Sequence, residues 1–298
     1  HTRSASVSWA RRCVYETGIM IYKEIPIQVE GSDKTSRAQF YILDTLPDEM
    51  KIQKRPIILI CPGGGYHKVS YREGEPLAMH FLSLGYHACV LQYSVSQEAF
   101  YPTQLLEVTE SVRQIHEHAK EWYIDTKKIV LAGASAGGHL AANYCAFWKR
   151  EFLVEKSGMQ REMLKPRGLI LCYPVITSDP KYAHTPSFQN LLGDTVEEEA
   201  WNLSLDHQIT DSMPPCFIWH TATDQTVPLP NSLLLAMALW KAGIPVELHV
   251  YPEGIHGLSL ANELVECLDG RGVQEECTSW ISLVDTWLDR LMKKEGEE

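Results

Sequence analysis

The sequence predicts an α/β fold: a mainly parallel central sheet flanked by helices, with a small cap insertion. Three observations predict it. Short, nearly continuous apolar runs such as Arg55–Cys61 (RPIILIC) and Gly168–Tyr173 (GLILCY) have the composition of strands buried on both faces, as parallel strands are. These runs alternate with helix-like segments, and repeated β-α-β units specify a parallel sheet covered on both sides. One stretch, about 178–215, breaks the rhythm: it is polar and carries Pro180, Pro186, Pro214 and Pro215. An insertion of that length between two core strands lies over the carboxyl edge of a sheet, where ligands bind.

Taken in order, Ile19–Glu30 and Arg37–Leu43 alternate and are rich in β-branched residues. Separated by Gly31-Ser32-Asp33-Lys34, they predict an antiparallel hairpin. After Pro47 and a charged linker comes strand Arg55–Cys61, then helix Pro76–Leu84 and strand His87–Tyr93. Helix Pro102–Trp122 leads to strand Lys128–Ala132, and helix Ala136–Trp148 to strand Gly168–Tyr173. Beyond the insertion follow strand Cys216–Ala222, helix Pro230–Ala242, strand Val246–Tyr251 and a last helix near Thr278–Met292. Inside the insertion, Thr195 and Glu198 have capping-box spacing and predict the start of a short helix. Residues 1–19 read as an N-terminal extension, upstream or non-native, and 20–298 as a single catalytic domain with its cap.

The chain has 298 residues, with 27 Lys+Arg against 38 Asp+Glu and a net charge of −11. At 45% hydrophobic and 22% charged residues, wholesale disorder is excluded. The acidic balance argues against nucleic acid and polyanionic ligands, which need basic surface, and leaves neutral substrates open. No run approaches the ~18 apolar residues of a membrane span. The N-terminus lacks the apolar stretch of about 7–15 residues that a signal peptide needs. Cys61, Cys89, Cys172 and Cys216 lie inside apolar runs and no C-x-x-C occurs, which predicts reduced, structural thiols and a cytoplasmic protein.

Gly133-Ala134-Ser135-Ala136-Gly137 follows the strand KKIVLA and opens the helix GGHLAANYCAFW. On such a turn a serine takes a strained conformation that small neighbours permit. Its hydroxyl then stands above the sheet at a helix N-terminus, where developing negative charge is favoured. Ser135 is therefore the candidate nucleophile. Upstream, Pro62-Gly63-Gly64-Gly65-Tyr66 follows strand IILIC, and a glycine run there lets backbone N–H groups face a ligand. With the Ala136 amide, two such donors make an oxyanion hole. A phosphate cradle fails because no G-K-[ST] follows.

A reactive serine needs a base and a carboxylate that orients it, following in the order Ser, acid, His. Asp224 lies just beyond the strand CFIWHTA, and Asp179, after an earlier strand, is the fallback acid. Asp206 and Asp211 fall in the cap, where nothing fixes them to the sheet. His256, in Pro252-Glu253-Gly254-Ile255-His256-Gly257, is flanked by glycines after a late strand and is the candidate base. His220 and His249 fall within strands and His139 one turn into the nucleophile helix, so all three read as structural. His116-Glu117-His118 is no metal pair, since alternate helical residues point about 200° apart. No catalytic metal and no cofactor are expected.

The chain resembles the α/β-hydrolases of the bacterial lipase/esterase group, and within it the carbohydrate acetylesterases called acetylxylan esterases. The matching segments run in order over roughly 57–261: PGGGY, REGEP, LGYHACVLQYSV, WYID, GASAGGHLAA, LCYPVI, FQNLLGD, MPPCFIWHTATDQTVP and VELHVYPEGIHGLSLA. Pro62 stands where classical lipases carry the histidine of HGGG. Some related sequences are called xylanases, yet nothing here resembles the paired carboxylates of a glycosidase. The resemblance implies that Ser135, Asp224 and His256 are the triad and that Gly64, Gly65 and Ala136 supply oxyanion amides. It implies a serine esterase for short, acetyl-type esters of carbohydrates. The alternatives are an amide or formamide hydrolase (arylformamidase-like), a peptidase, or a non-catalytic binding protein on the same fold. Tyr66, Phe188, Leu191, Leu192 and Trp201 are the expected substrate contacts. The partner expected is a small-molecule ester, with no nucleic acid and no membrane; homo-oligomerisation is left open.

Overall fold

In a computed structural model that describes residues 20–45, 54–95 and 99–293, the apolar runs become eight strands. They are β1 (Ile21–Pro26), β2 (Arg37–Ile42), β3 (Arg55–Cys61), β4 (His87–Gln92), β5 (Ile124–Ala134), β6 (Gly168–Cys172), β7 (Cys216–Thr221) and β8 (Val246–Tyr251). They form one sheet in the order β1-β2-β4-β3-β5-β6-β7-β8. The hairpin β1–β2 is antiparallel and β2 pairs antiparallel with β4, while every pairing from β4 to β8 is parallel. The expected N-terminal extension, residues 1–19, and the linker at Pro47 lie outside the described residues.

Successive strand residues face opposite sides, so β3 feeds two cores. Ile57, Leu59 and Cys61 join one with helices α2 (Thr103–His118), α3 (Ser135–Phe147) and α7 (Pro230–Lys241). Ile58 and Ile60 join the other with α1 (Glu75–Ser83) and α8 (Trp280–Lys293). The remaining helices are α4 (Glu151–Ser157) and, within the insertion, α5 (Thr185–Leu192) and α6 (Val196–Glu199).

The structure departs from the sequence expectation at element ends. Helix α2 stops at His118, not Trp122: Tyr123 takes a positive φ of 52°, and Trp122 turns inward against Phe40, ring centroids 5.0 Å apart. Strand β5 starts earlier than Lys128, because Ile124 pairs with Arg55 before a register shift. Helix α4 was not expected; it ends at Gly158 in the left-handed conformation. The capping box does not form. Thr195 ends the 3-10 turn Gly193–Thr195 and its hydroxyl donates back to the Leu192 carbonyl (2.9 Å), so it caps nothing ahead of it. Among the described residues no helix is long and apolar enough to cross a membrane.

Candidate active site

The β5–α3 turn is sterically closed. Ser135 has φ +53°. A Cβ on Gly133 would lie 2.3 Å from the Gly137 carbonyl oxygen, and one on Gly137 2.1 Å from the Cys61 carbonyl oxygen. Glycine at both positions lets the helix start directly on the sheet, which lifts the Ser135 hydroxyl over the carboxyl edge.

Two late loops bring the other candidates to it. His256 Nε2 lies 2.8 Å from Ser135 Oγ, and His256 Nδ1 lies 2.6 Å from Asp224 Oδ2. A carboxylate facing Nδ1 fixes the proton there and leaves Nε2 to accept from the serine. Asp224 Oδ1 accepts the Thr226 and Val227 amides (2.9 and 3.0 Å). Its other oxygen lies 3.4 Å from His220 Nε2. Burial alone raises the Asp224 carboxyl; hydrogen bonds from His220 and His256, the charge of His256 and the Val227 amide outweigh it and hold the group well below the usual carboxylate range. His220, expected to be structural, thus also serves the acid, while its Nδ1 meets the Ser232 hydroxyl at 2.7 Å.

The rival acids are occupied elsewhere. Asp179 accepts the Lys181 amide in its own turn (2.9 Å) and Asp206 accepts the Ser204 hydroxyl (2.7 Å). His249 meets Glu247 at 2.8 Å, and His116 faces the Met163 carbonyl. Among the described residues, no group of three His, Cys, Asp or Glu side chains is arranged to hold a metal.

In the glycine loop the three amides differ. Gly63 donates to Glu73 Oε2 (3.0 Å), so its amide is already engaged. Gly64 and Gly65 both have positive φ, and neither amide donates a backbone bond among the described residues. The Gly64 carbonyl accepts from the His67 and Lys68 amides, which curls the loop so tightly that a Cβ on Gly64 would lie 2.0 Å from the Lys68 carbonyl oxygen. Ala136 sits in the first turn of α3, whose amides have no intrahelical acceptor.

The expected substrate contacts are placed differently from the expectation. Tyr66, Phe188, Leu191 and Leu192 are buried core residues. The space among Tyr66, His139, Val175, Ser187, Phe188 and Leu191 is too tight to admit a water molecule. Tyr66 donates its hydroxyl to His139 Nδ1 (2.9 Å), while His139 Nε2 donates to the Leu203 carbonyl of the cap (2.8 Å). Burial lowers the His139 pKa to about 4, so the ring is neutral. Trp201 is 59% exposed and stacks on His207, 4.1 Å between centroids. What reaches the glycine loop from the cap is His184, Ser187 and Asn190: the first two approach Gly65, and Asn190 donates to its carbonyl (2.8 Å). His184 and Ser187 carry no sequence signal, and Asn190, though inside FQNLLGD, has no readable role there, because the path of the cap sets all three.

A parallel sheet with a serine on its β5–α3 elbow and an acid and a histidine beyond β7 and β8 defines an α/β-hydrolase. Within that class the chain belongs to the BD-FAE family, whose model matches residues 43–239. It is 38% identical over 219 residues to Endo-1,4-beta-xylanase B of Butyrivibrio fibrisolvens, which is 70% of this chain and 33% of that protein. It is 28% identical over 207 residues to Acetylxylan esterase of Xylanibacter ruminicola, 67% of this chain and 40% of that protein. The match to these two relatives thus takes in well under half of their length. The solved structure of an acetyl ester-xyloside bifunctional hydrolase from Caldicellulosiruptor lactoaceticus superimposes with a TM-score of 0.76 at 33% identity, covering 91% of this chain and 96% of that one.

Proposed function

We propose that the protein is a serine esterase that removes acetyl and similarly short acyl groups from small carbohydrate esters such as acetylated xylo-oligosaccharides. The observation that carries this reading is the unbroken hydrogen-bond line Ser135–His256–Asp224 at the carboxyl edge of the sheet. Ser135 Oγ attacks the ester carbonyl as His256 Nε2 takes its proton. The amides of Gly64, Gly65 and Ala136 receive the oxyanion. On collapse, His256 returns the proton to the leaving alcohol, and water, activated by the same imidazole, resolves the acyl-enzyme. Every proton has a donor and an acceptor in these groups, so the reading assigns no step to a metal.

The names of the Xylanibacter and Caldicellulosiruptor relatives support the acetyl group and the sugar. The xylanase name of the Butyrivibrio relative is not carried over, since a glycosidase works with two facing carboxylates and this site is built on serine and histidine. The tight packing among Tyr66, His139 and Phe188 closes that part of the protein to an extended acyl chain. A cytoplasmic location belongs to the same proposal; the seven described cysteines are free and six are buried as small hydrophobes.

The test is a kinetic panel of acetyl, butyryl and octanoyl esters beside acetylated xylo-oligosaccharides and formanilide, with and without EDTA. Acetyl esters are expected to have the highest kcat/KM, unchanged by EDTA. Octanoyl esters in the lead overturn the acyl assignment, and formanilide in the lead overturns the bond assignment.

A further inference from the structure

We infer that Glu73 is a positioning residue of the active site, a single buried carboxylate that fixes the oxyanion loop and the histidine loop relative to one another. The inference rests on the esterase reading above and deepens it. Glu73 is 4% exposed and ends the 3-10 turn Tyr71–Glu73 that follows the glycine loop. Its two oxygens serve two different elements. Oε2 accepts the Gly63 amide at 3.0 Å, and Oε1 accepts the Tyr173 hydroxyl at 2.7 Å. The Tyr173 oxygen in turn accepts the Ser259 amide (2.8 Å), in the loop just past His256. The Tyr173 ring also meets the His256 imidazole edge-on, 5.1 Å between centroids.

Several independent contacts close the same connection. Tyr173 leaves β6 with φ +39°, a conformation that persists only where surrounding contacts over-determine it. Arg72, the preceding residue, donates from Nη1 to the Gly257 carbonyl (3.1 Å) and from Nε to the Val265 carbonyl (2.5 Å). Ser259 Oγ donates back to the Arg72 carbonyl (2.5 Å). A Cβ on Gly63 would fall 2.6 Å from Glu73 Oε2 and 2.9 Å from Ser135 Cβ, so carboxylate, loop and nucleophile form one packed layer.

The chemistry asks for an acid at this position. Two donors, an N–H and an O–H, converge on one side chain, and only a carboxylate offers two acceptors and no donor. Because Gly63 is held by Glu73, the next two amides, Gly64 and Gly65, take their direction from it. Through Tyr173 and Ser259 the same group sets the height of His256 over Ser135. A displacement of about 1 Å at either place costs on the order of 10²-fold in rate.

Glu73→Gln keeps the volume and turns one acceptor into a donor; Tyr173→Phe cuts only the arm toward the histidine loop. Each is compared with wild type in kcat and KM for 4-nitrophenyl acetate and in the rate and stoichiometry of Ser135 labelling by a fluorophosphonate. Glu73→Gln is expected to lower kcat and the labelling rate about 10- to 100-fold, with KM within about threefold and labelling still complete. Tyr173→Phe is expected to slow labelling by a smaller factor. A merely structural role would reduce the labelled fraction and the melting temperature but not the rate at labelled sites. Labelling within about twofold of wild type in a folded Glu73→Gln overturns the inference. If that variant does not fold, Tyr173→Phe decides by the same criterion. A wild type that labels at Ser135 but hydrolyses no ester defeats the esterase reading alone, and the labelling rates still judge Glu73. One that neither labels nor hydrolyses overturns both.

Discussion

At the carboxyl edge of the sheet, Ser135, Asp224 and His256 each follow a strand terminus, and each is held by contacts with no slack. Backbone atoms crowd Gly133 and Gly137, two amides and two imidazoles surround Asp224, and the Tyr173 ring stands against His256. The cap is assembled otherwise. Between 178 and 215 the chain runs through α5, the single turn α6 and three 3-10 turns. It is tied down at a few points, among them Asn190 on the Gly65 carbonyl, Leu205 on the Ile176 carbonyl and Leu203 on His139. The edge is closed by crowded backbone and by hydrogen bonds to its side chains; the cap alternates core anchors such as Phe188, Leu191 and Leu205 with exposed positions such as Trp201.

Mutations can sharpen that contrast, and the largest effects belong to the edge. Ser135→Ala removes only the nucleophilic oxygen, so kcat for acetyl esters should fall by about 10⁶-fold while the melting curve stays in place. Activity within tenfold of wild type would sink the assignment of the nucleophile. Asp224→Asn leaves the imidazole in the wrong tautomer and should cost ~10⁴-fold in kcat. Asp179→Asn serves as the control with little loss; if Asp179 proves the more damaging, the acid has been misread.

The next effects are on stability. Gly133→Ala places a methyl group against backbone that cannot yield, and urea unfolding should show a loss of about 3 kcal/mol or more; a smaller loss would mean the elbow has room. His139 links helix α3 to the cap, and burial holds its pKa at about 4, below the 6.5 of a free imidazole. The unfolded chain therefore takes up this proton first. Stability should decline as pH falls from about 6.5 and level off below about 4, by up to about 3 kcal/mol from this residue. His139→Gln can still donate to Leu203 and accept from Tyr66, so its stability should fall less steeply over that range. Parallel curves would contradict a neutral His139. Smallest of all, Trp201→Ala in the cap should change unfolding free energy by less than about 0.5 kcal/mol. A larger change would show that the cap is more tightly built than its contacts indicate.

The fold was legible because buried parallel strands leave continuous apolar runs, and RPIILIC, KKIVLA and CFIWHTA carry little other information. The grouping of Ser135, Asp224 and His256 was legible because GASAG sets the serine on a strand-to-helix turn, and strand order limits which acid and histidine can follow. Glu73 was not, although REGEP is a visible motif: a carboxylate in an exposed-looking charged run shows nothing of the two donors it meets at Gly63 and Tyr173. His220 reads from its strand position as core, and its approach to Asp224 depends on how residues 223–227 turn back. In the cap, Phe188, Leu191 and Leu192 looked like pocket walls because they are apolar near a site. Helix α5 instead turns them into the core, and brings His184 and Asn190 over the loop.

Helix α3 has no spacer beneath it. Its Gly137 comes so near the carbonyl oxygens of Cys61 and Pro62, about where β3 opens into the glycine loop, that not even a methyl group would fit between. Ser135 and the glycine loop therefore cannot be moved separately: a library varied across 61–65 or 133–137 disturbs both at once. One varied only at exposed cap positions such as Gln189, Glu197, Glu198 and Trp201 leaves Phe188, Leu191 and Leu192 in the core and Asn190 on the Gly65 carbonyl while the cap surface changes. For directed evolution, that divides the chain into a part to leave alone and a part to search.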